Sequence, residues 1–72
     1  MPKLYSSKYI AKVLKKNDFF FVSQKGSHAK YRKTEKPSLT VILPAGKKEI
    51  PHGTFRSILR QSKLEEEDFR KK

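Results

Sequence analysis

The first amphipathic segment of the chain predicts a helix. Its aliphatic residues recur at i, i+3 and i+4 and so share one helical face: Ile10, Val13 and Leu14. Lysines fill much of the opposite face, where they either keep the helix solvated or contact phosphates. Ser6 or Ser7 can accept a backbone N–H bond and cap the amino end. Asn17, whose side chain tolerates left-handed backbone, is the predicted stop.

Three short β segments follow this helix. Aromatic and β-branched residues with period-two alternation predict strands at Phe19–Gln24, His28–Lys33 and Leu39–Leu43. Gly26 accepts a positive φ at little cost and marks the first turn, and Pro37 lies in the second. The chain therefore predicts a meander of three antiparallel strands.

Alternate side chains of a strand point to opposite faces of its sheet. In the second strand, Ala29 and Tyr31 are therefore predicted on one face, with His28, Lys30 and Arg32 on the other. The single histidine of this strand thus lies on the same side as two cations.

The last third of the chain predicts a second helix. A loop opens at Pro44 and Gly46 and closes near Pro51, and Thr54 is the predicted N-cap. The buried face of this helix is predicted at the spacing i, i+3, i+4: Phe55, Ile58 and Leu59. Leu64–Arg70 can add a short final helix.

The element order predicts the α+β fold class, as one domain over residues 1–72 with the order α-β-β-β-α. Each helix has a single apolar stripe and cannot cover both faces of a sheet, so both helices are expected on one face of a three-stranded antiparallel sheet. The other face stays open. The phenylalanines are expected mostly in the core, although those of the first strand could instead stack on RNA bases.

Charge is the strongest compositional signal. The chain has 18 Lys+Arg against 7 Asp+Glu, a formal net charge of +11, and a sequence pI of about 10.1. Such an excess favours a polyanionic partner, most often nucleic acid, because neutralised phosphates release counterions. A purely solubilising excess is the alternative. Attachment to a membrane would need an exposed apolar face or a lipid anchor, and neither is evident.

Residue usage narrows the protein class further. The chain has no cysteine, which excludes disulfides and thiolate metal sites, and its two histidines lack the clustered acids of a usual metal site. No cofactor is therefore expected. The longest apolar run, Phe19–Val22, is too short for a bilayer span or a signal-peptide core. A cytoplasmic protein is expected.

Two segments together carry a family resemblance: "FFFVSQKGSHAKYR", residues 19–32, and "GTFRSILRQSKL", residues 53–64. The most specific features are Gly26-Ser27-His28 with Tyr31 three residues on, and Gly53-Thr54 at the opening of an apolar helix. In this order they resemble the HicA family, small toxins of bacterial and archaeal toxin–antitoxin pairs. The resemblance runs from about Lys8 to Phe69.

The resemblance implies a fold similar to a double-stranded-RNA-binding domain. It also implies metal-independent cleavage of mRNA, with His28 as the catalytic residue, and inhibition by a HicB-type antitoxin. That partner is expected to cover His28, and neither membrane association nor DNA binding by this chain alone is expected. Basic and turn residues around the histidine and on the first helix are the RNA-binding candidates: Lys25, Gly26, Ser27, Lys30, Arg32, Lys8 and Lys12.

The sequence also departs from the family pattern. Many relatives have a second histidine in the loop after the third strand, where this chain has Pro44-Ala45-Gly46. His52, in the next turn, occupies a position that is not usually histidine and is interpreted as a surface turn residue. Relatives often end the second helix with Ala-Gly, and here Ser62-Lys63 stands instead.

The catalytic hypothesis is that His28 removes the proton of a ribose 2′-OH, a group that RNA has and DNA lacks. Nearby cations would favour the neutral ring and stabilise the transition state. Lys25, Lys30 or water would protonate the leaving oxygen, because alternation turns Tyr31 away. A non-catalytic RNA-binding module is the main alternative, and an accessory protein of the ribosome or another assembly is a third.

Overall fold

The computed structural model describes residues 4–70 of the chain. Its elements, in chain order, are α1 (Ser7–Lys16), β1 (Phe20–Lys25), β2 (His28–Lys33), β3 (Leu39–Pro44), α2 (His52–Ser62) and α3 (Glu66–Arg70). The strands form one antiparallel sheet in the order β1-β2-β3. The predicted α+β class and the α-β-β-β-α order are confirmed. Within residues 4–70, no helix has the length and apolar character needed to cross a membrane.

Side-chain caps fix both ends of α1. Ser6 is the N-cap, and its hydroxyl accepts the N–H of Tyr9 at 3.0 Å. Asn17 ends the helix as predicted, but its φ is −103°, and the left-handed residue is Asp18 with φ 72°. The Asn17 side chain instead donates to the Val13 carbonyl at 2.9 Å, which holds Asn17 on the last helical turn.

α2 begins earlier than the sequence predicts. The prediction of Thr54 as N-cap is wrong, since Pro51 is the N-cap and makes no side-chain cap bond. The N–H of the preceding Ile50 donates to the Tyr5 carbonyl at 2.7 Å, which anchors the loop directly before Pro51. α2 starts directly after this anchored segment. The Phe55 N–H donates to the Pro51 carbonyl at 2.9 Å and forms the first hydrogen bond of the helix.

The end of α2 is a left-handed turn without glycine. Lys63 takes a φ of 64° and donates its N–H to the Leu59 carbonyl at 2.9 Å. α3 then starts at Glu66, later than the predicted Leu64, because the Asp68 carboxylate accepts the Glu65 N–H at 2.8 Å and caps the short helix there.

The hydrophobic core lies between one face of the sheet and the helices. Its buried members come from every element except β1 and from two loops: Ile10, Val13, Leu14, Phe19, Ala29, Tyr31, Val41, Leu43, Ile50, Phe55, Ile58 and Phe69. Ala29 and Tyr31 point inward from β2, as alternation predicts. Leu59 is only partly buried, at the margin of the core.

β1 is the exception to the expected packing. All six of its residues are exposed, because α1 and α2 contact β3 and leave the first strand overhanging. Phe20 and Phe21 are 46% and 49% exposed. The expectation that phenylalanines lie in the core therefore holds for Phe19, Phe55 and Phe69 and is wrong for these two.

Candidate functional site

The turn between β1 and β2 sets the position of the candidate histidine. Lys25 and His28 are antiparallel partners, so only Gly26 and Ser27 form the loop. Gly26 has a φ of +59° and Ser27 does not have a positive φ, the pattern of a type II′ hairpin with glycine first. A Cβ on Gly26 would meet nothing within 4 Å, so backbone conformation, and not space, requires the glycine.

His28 is held by its backbone and exposed at its ring. It is the first residue of β2 and pairs with Lys25 on one side and Pro44 on the other. The Ala45 N–H donates to the Ser27 carbonyl at 2.7 Å, which continues the β2–β3 pairing up to the turn. The imidazole makes no hydrogen bond or ion pair with residues 4–70, so both ring nitrogens can reach a ligand.

The open side of the sheet, here called the outer face, is cationic. Directly paired residues share a face, and those in register with His28, Lys30 and Arg32 are Lys25, Ser23, Phe20, Pro44, Ile42 and Thr40. None of the three strands contains an acidic residue. Lys25, Lys30 and Arg32 form no ion pair within the described residues, whereas Lys33 is paired with Glu35 at 3.3 Å. The positive charge around His28 is therefore not compensated locally.

Tyr31 lies on the opposite, inner side of β2. Its side chain is only 7% exposed and meets the Phe21 ring edge-on at 5.8 Å between centroids. Burial raises the pKa of its hydroxyl above the ordinary value. The alternation that excluded Tyr31 as a proton donor beside His28 is thus confirmed.

A buried serine braces the loop behind the turn. Ser7, at the start of α1, donates its hydroxyl to the Pro44 carbonyl at 2.6 Å and accepts the Lys47 N–H at 3.0 Å. The Ser7 N–H also donates to the Lys47 carbonyl at 2.9 Å. Since Pro44 pairs with His28 and Ala45 bonds Ser27, α1 fixes the loop that in turn fixes the hairpin end.

A groove of about 460 Å³ lies on the inner side of the hairpin. Its floor includes Tyr31 and Leu43, and its rim carries three lysines and an amide: Lys8, Lys47, Lys48 and Gln24. The predicted candidate Lys8 therefore lies near the hairpin. Lys12 lines a neighbouring depression with Tyr9 and Arg70, which shares Ser6 and Lys48 with the groove.

A family model described as "HicA toxin of bacterial toxin-antitoxin" matches residues 7–64, from the start of α1 to just past α2. The chain belongs to the HicA toxin family. Among curated proteins, the sequence finds no significant match. Family membership makes the chain a toxin-type protein and implies an antitoxin partner.

The loop after β3 in this HicA chain contributes backbone to the site. Ala45, in the segment Pro44-Ala45-Gly46 where the resemblance led us to look for a second histidine, contacts the turn through its N–H, which donates to the Ser27 carbonyl. The lysines that follow, Lys47 and Lys48, were not among the predicted RNA-binding residues. In the sequence they stand as a basic pair directly after the turn residue Gly46, and in the structure they line the groove.

The other histidine of this HicA chain belongs to a different surface. His52 is the first residue of α2, with its ring 6.4 Å from that of Phe55, in a depression that it shares with Arg56 and Arg60. Because α2 packs on the inner side of the sheet, His52 is separated from the outer face by the core. Among residues 4–70, no group of three or more His, Asp or Glu side chains could hold a metal ion.

Proposed function

We propose that this HicA chain is a metal-independent endoribonuclease that cleaves mRNA, with His28 as its catalytic residue. The observation that carries the proposal is the exposed imidazole at the head of β2, on an open face where every charged strand residue is a cation. Such a face attracts a polyanion, and a neutral imidazole is a suitable general base near neutral pH.

The proposed reaction uses the 2′-OH of RNA as its nucleophile. One nitrogen of His28 takes the proton of the 2′-OH, and the 2′ oxygen forms a bond to the adjacent phosphorus. The bond from phosphorus to the 5′ oxygen breaks, and that oxygen takes a proton as it leaves. The products are a 2′,3′-cyclic phosphate and a 5′-hydroxyl end. DNA lacks the nucleophile and would not react.

Lys25 is the best-positioned partner for His28. The two residues are direct cross-strand partners, so their Cβ atoms lie about 4.5–5.5 Å apart on the same face. Lys30 is two positions along β2, at about 6.5 Å along the strand. We infer that Lys25 stabilises the negative charge on the pentacovalent phosphorus and protonates the leaving oxygen, while Lys30 and Arg32 bind neighbouring phosphates.

One RNA strand would contact the end of the β1–β2 hairpin on both faces of the sheet. Phosphates on the outer face would meet Lys30 and Arg32, and the strand passing round Gly26 would meet the lysine-rimmed groove on the inner side. In this arrangement Ser27 and Gly26 contribute backbone polar groups to the RNA, and Lys8 supports the inner path. Lys12 would contribute only long-range attraction.

The antitoxin partner is proposed to be of the HicB type and to cover His28. A protein that presents acidic side chains to the outer face would meet Lys25, Lys30 and Arg32. Opposite charge would speed docking, and occupation of the face would exclude the phosphate backbone from the imidazole.

The decisive experiment compares two histidine variants. His28→Ala and His52→Ala remove the same ring from the same chain, and only the first removes it from the outer face. Purified proteins are incubated with mRNA in excess EDTA, and the 3′ ends of the products are analysed. We expect wild type and His52→Ala to cleave and leave cyclic phosphates. His28→Ala should lose about 10²–10⁴-fold in rate, the usual contribution of a general base.

Two results would contradict the proposal. Cleavage by His28→Ala at the wild-type rate would show that the His28 imidazole takes no part in catalysis. Products with 5′-phosphate and free 3′-OH ends would remove the 2′-OH mechanism. RNA retardation without any cleavage would favour the non-catalytic RNA-binding module, which the same cationic face could also support.

A further inference from the structure

The two edges of the sheet are treated differently. At the β3 edge, the Ile42 N–H donates to the side-chain oxygen of Gln61 in α2 at 2.8 Å. The Gln61 amide nitrogen in turn donates to the Ser57 hydroxyl at 3.0 Å, which fixes its orientation. An outward backbone donor of β3 is thus satisfied from within the fold, and this edge is blocked against a further strand.

Among residues 4–70, no side chain caps the β1 edge in this way. All residues of β1 are exposed and the strand contains no proline, so Lys25 and a bulge are the features of β1 that discourage strand addition. A bulge between Phe21 and Ser23 interrupts the pairing with β2, but the register from Ser23 to Lys25 is regular. That regular segment presents a free edge to a partner.

The hairpin geometry identifies the backbone groups at this edge. Lys25 and His28 close a two-residue loop and are therefore a hydrogen-bonded pair, so the next pair along, Gln24 and Ala29, is not hydrogen-bonded. The N–H and C=O of Gln24 consequently point away from β2. Beside them lie the exposed apolar side chains Phe20, Phe21 and Val22, at 46%, 49% and 38% exposure.

The positive charge of the chain indicates which kind of partner strand can pair with the edge of β1. A second copy of the chain would bring another net charge of +11 against Lys25 and the cations of β2, which disfavours pairing of β1 with itself. An acidic strand would be attracted by the same residues. Family membership supplies a partner protein, since a toxin of this type acts with an antitoxin, and the charge of β1 and β2 favours an acidic strand from it.

We propose that the antitoxin adds a β-strand to the open edge of β1, pairing with the backbone of Gln24 and presenting acidic side chains to the outer face. The inference rests on the proposed function only for the partner. Neighbouring strands lie about 4.8 Å apart, so the added strand would be about 10 Å from β2. Its acidic side chains would reach Lys25 and approach His28, while apolar side chains would cover Phe20 and Phe21.

The test uses two substitutions at Gln24 in the full chain. Gln24→Pro removes the outward N–H and obstructs a further strand, and proline is tolerated where an edge N–H faces solvent. Gln24→Ala keeps the N–H and removes the side-chain bond to the Gly26 carbonyl, which measures 3.0 Å in the wild type. Circular dichroism and thermal unfolding check that both variants fold. Binding is measured by titration with a purified HicB-type antitoxin.

We expect Gln24→Ala to bind within about twofold of wild type and Gln24→Pro to bind on the order of tenfold more weakly or worse. In wild type, hydrogen exchange at the Gln24 amide should slow when the antitoxin binds, a measurement that does not depend on whether the proline variant folds. The readout needs no RNA, so an inactive His28 would refute the proposed nuclease without affecting this result.

Three outcomes would overturn the inference. One is equal affinity of folded Gln24→Pro and wild type for the antitoxin. Another is an unchanged exchange rate at Gln24 in the wild-type complex. The third is a dimer of the free chain in sedimentation that Gln24→Pro dissociates, since the edge would then serve a second copy.

Discussion

The brace formed by Ser7 offers the sharpest test of how the fold supports the site. Ser7→Ala removes one oxygen atom that serves as both donor and acceptor, to Pro44 at 2.6 Å and from Lys47 at 3.0 Å. Alanine favours the helix and fills nearly the same space, so the loss of these two hydrogen bonds is the dominant effect.

The magnitude follows from the surroundings of the two partners. A buried polar group left without its bond costs about 1–3 kcal/mol. Pro44 is half-buried and Lys47 is exposed, so water can replace part of each bond, and the low end applies to both. The expected loss is about 2 kcal/mol, against a total stability of roughly 4–11 kcal/mol for a chain of this length. At roughly 4–8 °C per kcal/mol, Tm should fall by about 8–16 °C.

A second buried serine provides the matched control. Ser62 is 2% exposed, but its hydroxyl makes only long, local bonds, to the Leu59 carbonyl at 3.3 Å and from the Leu64 N–H at 3.2 Å. The Leu59 carbonyl keeps the Lys63 N–H at 2.9 Å when Ser62 is changed. Ser62→Ala should therefore cost less than about 1 kcal/mol.

The assay is thermal and urea unfolding of both alanine variants beside wild type, with hydrogen exchange at Ala45. Loosening of the loop by Ser7→Ala should speed exchange at Ala45, whose N–H holds the Ser27 carbonyl. The reasoning is refuted if Ser7→Ala loses no more stability than Ser62→Ala, or if exchange at Ala45 is the same in Ser7→Ala and wild type.

Two further predictions concern the hairpin and the core. Gly26→Ala and Gly46→Ala each place a side chain at a positive φ, +59° and +74°, with no atom within 4 Å of the new Cβ. Both variants should lose about 1–2 kcal/mol of stability in urea unfolding. Gly26→Ala should show the larger loss of RNA cleavage, and equal cleavage rates of the two variants would show that the β1–β2 turn has no special role in catalysis. Burial raises the pKa of the Tyr31 hydroxyl in the folded state, so the unfolded chain loses this proton at lower pH than the folded chain does. The stability that the protonated hydroxyl contributes is therefore complete below the unfolded-state pKa of about 10 and is lost as pH rises through the folded-state pKa. Urea midpoints between pH 8 and 11 should therefore fall more steeply for wild type than for Tyr31→Phe, and parallel curves would contradict this.

Periodicity predicted much of the fold because most core positions obey it. The stripe of Ile10, Val13 and Leu14 and the inward pair Ala29 and Tyr31 are buried as their spacing predicts. Alternation also predicted that His28 shares a face with Lys30 and Arg32, and the strand register bears this out. Their roles in catalysis and RNA binding stay predictions.

What the sequence did not predict depends on tertiary contacts. The start of α2 is set by the bond from Ile50 to Tyr5, which joins residues far apart in the chain. The exposure of Phe20 and Phe21 depends on where the helices lie across the sheet, and an apolar run in β1 carries no information about that offset. Lys63 shows the same limit, since it takes the left-handed turn without glycine.

The overhang of β1 and the exposure of His28 have one physical origin. A chain of this size has apolar surface enough to cover one face of a three-stranded sheet, and its helices pack chiefly against β3. Among residues 4–70, nothing covers the outer face, and β1 is left with both faces and one edge open. A partner that covers Phe20 and Phe21 while it neutralises Lys25 would complete the buried surface that the chain cannot supply alone, and would occupy the outer face in doing so. Inhibition of the toxin and completion of its fold would then be the same binding event.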